Sequence, residues 1–184
     1  MTATNIGKYD EPVGMGWHPY FRLPSGRRDN ARLHVPALMR VAVNNADDMF
    51  PTGKLLPVKG TPYDFFTETN GSPILGPVND AFLQLQRTAQ GHTVCDITDL
   101  GANYGLQIVA LTPLVHTILV YAPAEQPLIV LEPQFNNGDP FGKEWKGRDN
   151  GMASVGPGRS VAWQTQLTLF QPDSRYSIPT PSTK

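Results

Sequence analysis

The chain has 184 residues and a hydrophobic content of 40%, enough for one domain with a substantial core and too little to expect two. Its 15 Lys and Arg stand against 16 Asp and Glu, a formal net charge of -1, so there is no basic field to attract nucleic acid or an anionic membrane. The single cysteine, Cys95, excludes an internal disulfide and a Cys-pair metal site, and its simplest reading is a small buried apolar side chain.

The 17 glycines and 18 prolines are spread along the chain and punctuate short segments. The first patterned segment, 14–24, alternates Trp17, Phe21 and Leu23 on one face with His18, Tyr20 and Arg22 on the other. Segments 33–43, 93–98, 106–111 and 117–121 show the same two-residue period less cleanly. Segment 128–137 is apolar on both faces until Glu132, which shares a face with Leu128, Val130 and Gln134. The last, 161–170, sets Val161, Trp163, Thr165, Leu167 and Leu169 against Ala162, Gln164, Gln166 and Thr168, the pattern of a half-buried antiparallel strand. No segment holds a helical period over three turns. Short strands between Gly, Pro, Asn and Asp turns therefore predict an all-β sandwich or barrel over residues 1–170. Residues 171–184 lose the alternation and carry Pro172, Pro179 and Pro181, which predicts a poorly ordered tail.

Two segments carry candidate chemistry. His18, beside a phenol and a guanidinium, is placed to donate a proton at neutral pH, or else is a histidine satisfied by a local hydrogen bond. Glu132 lies in so apolar a strand that desolvation would raise its pKa toward that of a general base; the alternative is a salt-bridged or strand-end glutamate before Pro133. Asp80, read by itself, is a turn aspartate ahead of a strand. His34, His92 and His116 have no metal-ligand spacing and read as structural or surface residues.

In chain order, His18–Phe21, residues 50–53 (Phe-Pro-Thr-Gly), residues 60–65 (Gly-Thr-Pro-Tyr-Asp-Phe), Glu132–Gln134 and the Pro157-Gly158 turn resemble the aldose 1-epimerase, or galactose mutarotase, family. The resemblance runs from about residue 5 to residue 170. It implies a galactose mutarotase-like antiparallel β-sandwich with a sugar cleft on one sheet, and catalysis without metal or cofactor. Transferred residue by residue, the catalytic acid falls on His18, the base on Glu132 and the acidic ligand of a sugar hydroxyl on Asp80. Gln134 joins them by sharing the Glu132 face. Tyr20, with Trp17 and Phe135, is a candidate to pack on a sugar ring, although the parity of Trp17 favours the core.

Members of this family are considerably longer, and their amino-terminal half supplies a further His and an Arg to the sugar site that have no counterpart here. The expectation is therefore an incomplete sandwich lacking amino-terminal strands, with unpaired edges: a fragment, a domain completed by a missing amino-terminal half, or a self-associating remnant. Two functions follow. One is anomer interconversion of a free hexose, with a small-molecule sugar as substrate. The other is a non-catalytic carbohydrate-binding or structural β-sandwich. Apolar runs such as 128–131 fall far short of the roughly 20 residues of a membrane helix, and no signal-peptide pattern opens the chain. A cytoplasmic location is expected, with export left open.

Overall fold

In a computed structural model, residues 1–45, 47–68 and 71–172 are described; the tail expected at 171–184 lies outside them from residue 173 onward. In chain order the strands are β1 (Thr2–Thr4), β2 (Glu11–Val13), β3 (Tyr20–Arg22), β4 (Ala31–His34), β5 (Ala37–Val43), β6 (Pro51–Pro57), β7 (Ser72–Pro73) and β8 (Val78–Leu85). They continue with β9 (Thr93–Asp99), β10 (Tyr104–Ala110), β11 (Thr117–Ala122), β12 (Leu128–Gln134), β13 (Ala153–Val155), β14 (Ser160–Ala162) and β15 (Thr165–Phe170). Helical structure among the described residues is limited to short 3₁₀ turns, so none of it is long and apolar enough to cross a membrane.

Two antiparallel sheets form the sandwich. One has six strands in the order β3-β12-β11-β8-β5-β6 and the other five in the order β15-β10-β9-β4-β7. The ribbons β1-β14 and β13-β2 flank them. Strands stack because alternate residues are apolar: Leu33, Ile97, Leu106 and Ile108 of the five-stranded sheet meet Phe82, Ile118, Val120, Ile129 and Leu131 of the six-stranded one. Phe65 and Phe135 fill the interior from connecting segments. Each such side chain, fully buried, stabilises the fold by about 1.5–3 kcal/mol. Cys95 belongs to this core, and burial pushes its thiol pKa far up, so it is inert packing.

Two expected strands divide. Segment 33–43 splits at Pro36: β4 enters the five-stranded sheet and β5 the six-stranded one, because a proline has no N–H for a ladder and the chain uses it to change sheets. Segment 161–170 splits at Trp163 and Gln164 into β14 and β15. Along β15 the expected burial also fails, since Leu167 and Leu169 are exposed at the sheet edge. By contrast β12 runs through Pro133 to Gln134 with its pairing to β11 intact, so Glu132 stands inside a strand rather than at its end.

Candidate active site

His18 is held between two attachments to β12. On one side Gly16 bridges Gln134, and the Phe135 N–H donates to the Met15 carbonyl at 2.9 Å. On the other, β3 pairs with β12, Tyr20 opposite Val130. The short link through Trp17 and Pro19 sends Trp17 into the core, edge-on to Phe21 with ring centroids 5.9 Å apart, and turns His18 the opposite way. This parity sets the His18 Nε2 3.2 Å from the Glu132 Oε1. The Tyr20 ring stacks on the imidazole at 5.0 Å and 22°. A glycine is needed at position 16, where a Cβ would lie 2.8 Å from the Gln134 Cβ.

The pair is asymmetric in depth. The Glu132 side chain is 10% exposed and that of His18 54%. Glu132 forms the floor and His18 the rim. Burial drives the Glu132 carboxyl above its ordinary range, and the nearby His18 imidazole partly offsets the shift.

The ladder register identifies what else shares this face, because directly opposed residues project to the same side. One row is Glu132, Leu119 and Ala81; the next is Tyr20, Val130, Tyr121 and Asn79. With strands about 4.8 Å apart, Asn79 lies roughly 10 Å across the sheet from the acid–base pair. Val41, Val43, Asn79, Ala81 and Leu119 enclose a hollow of about 100 Å³ on this face. It adjoins a larger one, about 520 Å³, lined by Arg40, Tyr63, Asn79, Asp80 and Tyr121 among others. Trp145 walls the region by packing on Val41 and Leu83, its indole N–H donating to the Gly138 carbonyl at 2.9 Å. The loop carrying Trp145 is anchored where the Thr117 hydroxyl donates to the Asn137 Oδ1 at 2.9 Å.

The expected site residues are thus partly gathered. His18, Glu132 and Tyr20 meet directly, and Gln134 is half-buried on the same strand face as Glu132. Asp80 does not touch the pair, but it lines the adjoining hollow together with Arg40, Tyr63 and Asn79. Its row is Leu131, Val120 and Asp80, whose parity directs side chains into the sandwich, and its carboxylate accepts from the Arg40 Nη1 at 2.7 Å. Tyr63 lies 3.9 Å from that guanidinium. Asp80 is half of a partly buried ion pair that neutralises Arg40. The polar residue that β8 presents on the Glu132 face of the sheet, two strands away and in the next row, is Asn79. Sequence reading missed it because an asparagine carries no charge signal, yet the inward parity of Val78 and Phe82 identifies residue 79 as outward. Phe135 is fully buried and so is not available to a ligand. Of the other histidines, His34 faces Asp96 across β4 and β9, and His116 Nδ1 lies 3.3 Å from the Asp149 carboxylate. Among the described residues no group of three or more metal-ligating side chains is gathered.

A desolvated carboxylate touching an exposed imidazole can remove and deliver a proton on adjacent atoms of one bound molecule. A model of the aldose 1-epimerase family matches residues 1–168. No curated protein matches the chain. Among solved structures, a galactose mutarotase-like protein from Clostridium acetobutylicum superposes with a TM-score of 0.76 at 16% identity, over 93% of this chain and 51% of that one. An aldose epimerase homologue from C. elegans gives 0.69 at 18% identity, over 89% and 53%. A galactose mutarotase-like protein from Lactobacillus casei gives 0.64 at 16% identity, over 92% and 57%. The chain therefore spans about half the length of these structures and shares their galactose mutarotase-like fold. Matched by the family model from β1 into β15, the chain belongs to the aldose 1-epimerase family.

Proposed function

We propose that this face interconverts the α and β anomers of a free hexose, with Glu132 as base and His18 as acid. The observation that carries the reading is the 3.2 Å contact between a floor carboxylate and a rim imidazole. The two oxygens on a hemiacetal carbon are one atom apart, so neighbouring acid and base groups can serve both at once. Glu132 takes the proton of the C1 hydroxyl while the protonated His18 gives one to the ring oxygen. The bond from C1 to the ring oxygen breaks and the open aldehyde forms. Rotation about C1–C2 turns the other carbonyl face toward the hydroxyl, and the reverse transfers close the opposite anomer. Each group starts and ends the cycle in the same state. Each positioned proton transfer contributes about 10²–10⁴-fold.

Tyr20, Gln134 and Asn79 are the residues placed to hold the sugar. A neutral substrate fits, because Arg40, which lines the adjoining hollow, is already paired with Asp80. A second reading is sugar binding without turnover. It is favoured by the chain spanning about half of the structures it resembles, and by the open position of His18. Polarimetry of freshly dissolved α-glucose or α-galactose separates the two.

A further inference from the structure

β12 carries Glu132, and its two edges are held in different ways. Toward β11 the ladder is continuous from Tyr121 opposite Val130 to Thr117 opposite Gln134, with Leu119 opposite Glu132. Toward β3 it is interrupted. Tyr20 opposite Val130 and Gly16 opposite Gln134 belong to one register. That register is bonded on both sides of the interruption, where the Leu23 N–H donates to the Pro127 carbonyl at 2.8 Å and the Phe135 N–H to the Met15 carbonyl at 2.9 Å. Bonded pairs recur at every second residue of an antiparallel ladder, so the Pro133 carbonyl points toward the gap. Residues 17–19 leave the ladder there, turning Trp17 inward and His18 outward.

The gap is closed at Pro133 from the other sheet. Pro133 has no N–H to offer, and its carbonyl accepts from the Trp163 indole Nε1–H at 3.0 Å in the buried interior. A buried carbonyl needs a partner, and Trp163 supplies the one that segment 17–19 gives up. Trp163 stands at the break between β14 and β15 and is 5% exposed. Its backbone is fixed beside the end of β10: the Gln164 N–H donates to the Thr112 hydroxyl at 2.8 Å, and the Leu111 N–H donates to the Gln164 carbonyl at 3.0 Å. The gripped carbonyl belongs to the residue directly after Glu132. The proline ring fixes φ and the peptide bond is planar, so the link from that carbonyl to the Glu132 backbone is short and stiff.

We propose that Trp163 is a positioning residue for the acid–base pair: by bonding the Pro133 carbonyl it holds β12 in line where residues 17–19 depart, and so keeps the Glu132 carboxylate within reach of His18. The proposal rests on the reading of those two groups as base and acid. Trp163 itself lies in the sandwich interior, on the side of β12 opposite to Glu132.

Trp163→Phe keeps an aromatic ring in the core and removes the N–H. Polarimetric kinetics are expected to show kcat lowered about 10- to 100-fold with KM within about twofold. Almost no further loss is expected when the same change is made in Glu132→Gln, since a residue that acts through Glu132 has nothing left to position. Nuclear magnetic resonance gives a readout that needs no turnover: the His18 imidazole signals are expected to move in Trp163→Phe in the direction in which Glu132→Gln moves them. Thr112→Val removes the hydroxyl that holds Gln164 and leaves the core intact. It is expected to move the same signals the same way by a smaller amount, and it serves as the test if Trp163→Phe does not fold. Unmoved His18 signals in the folded variant, a loss expressed in KM, or losses that multiply in the double variant overturn the proposal. If the parent shows no mutarotation, the reading of the site fails, and the His18 signals alone decide whether Trp163 holds the pair.

Discussion

The imidazole of His18 and the carboxylate of Glu132 meet at 3.2 Å with the carboxylate sunk in the sheet and the imidazole at the surface. Because burial raises the Glu132 pKa, the base becomes competent only above the ordinary carboxylate range. The rate of mutarotation against pH is therefore expected to rise along a limb displaced upward from that of a free glutamate. A limb at about pH 4, or none, contradicts the assignment of Glu132 as the desolvated base.

The same shift has a stability consequence. A carboxyl with a raised folded-state pKa binds protons more tightly in the native chain than in the unfolded one, so its contribution to stability falls as pH rises from the unfolded pKa through the folded one. Above that window the ionised group is a full liability. Thermal melts are expected to show Glu132→Gln at least as stable as the parent at about pH 8, with any advantage gone by about pH 4. A marked loss of stability at neutral pH would make the glutamate a structural anchor.

Gly16 positions the acid without touching substrate. In Gly16→Ala the new methyl would meet the Gln134 Cβ at 2.8 Å, pushing the segment that carries His18 off β12. A displacement on the order of 1 Å costs about 10²-fold in rate. Kinetics are expected to show a fall of about 10- to 100-fold with the melt little changed; an unaffected rate shows that the bridge does not position His18.

Asp80 and Asn79 are neighbours on opposite faces of β8, and their variants are expected to behave oppositely. Asp80→Asn breaks a partly buried pair with Arg40 and is expected to cost about 1–3 kcal/mol in denaturant melts. Asn79→Ala is expected to leave stability within about 0.5 kcal/mol and to lower kcat/KM about tenfold through a lost hydroxyl contact. The reverse pattern would return Asp80 to the sugar site.

Parity was the most legible feature of the chain. It separated Trp17 and Phe21 from His18 and Tyr20, and it put Gln134 on the face of Glu132, because a two-residue period is written directly in the order of side chains. Parity alone does not say which side of a strand faces the interior. Asp80 read by itself was a turn aspartate and only the family resemblance gave it a sugar hydroxyl; its ion pair with Arg40 of β5 is a tertiary contact that nothing local in the sequence encodes. Leu167 and Leu169 show the converse. Their alternation is that of a buried face, while their exposure depends on which strands stand beside β15. Breaks at Pro36 and at Trp163 and Gln164 were equally tertiary in origin: the period survives a change of sheet.

Polarimetry tests most directly whether His18 and Glu132 together turn over a hexose. Freshly dissolved α-glucose or α-galactose is expected to approach its equilibrium rotation faster with the chain present than in buffer alone. His18→Ala and Glu132→Gln are each expected to reduce that acceleration by about 10²–10⁴-fold. No acceleration at high protein concentration, or equal acceleration by both variants, would contradict it.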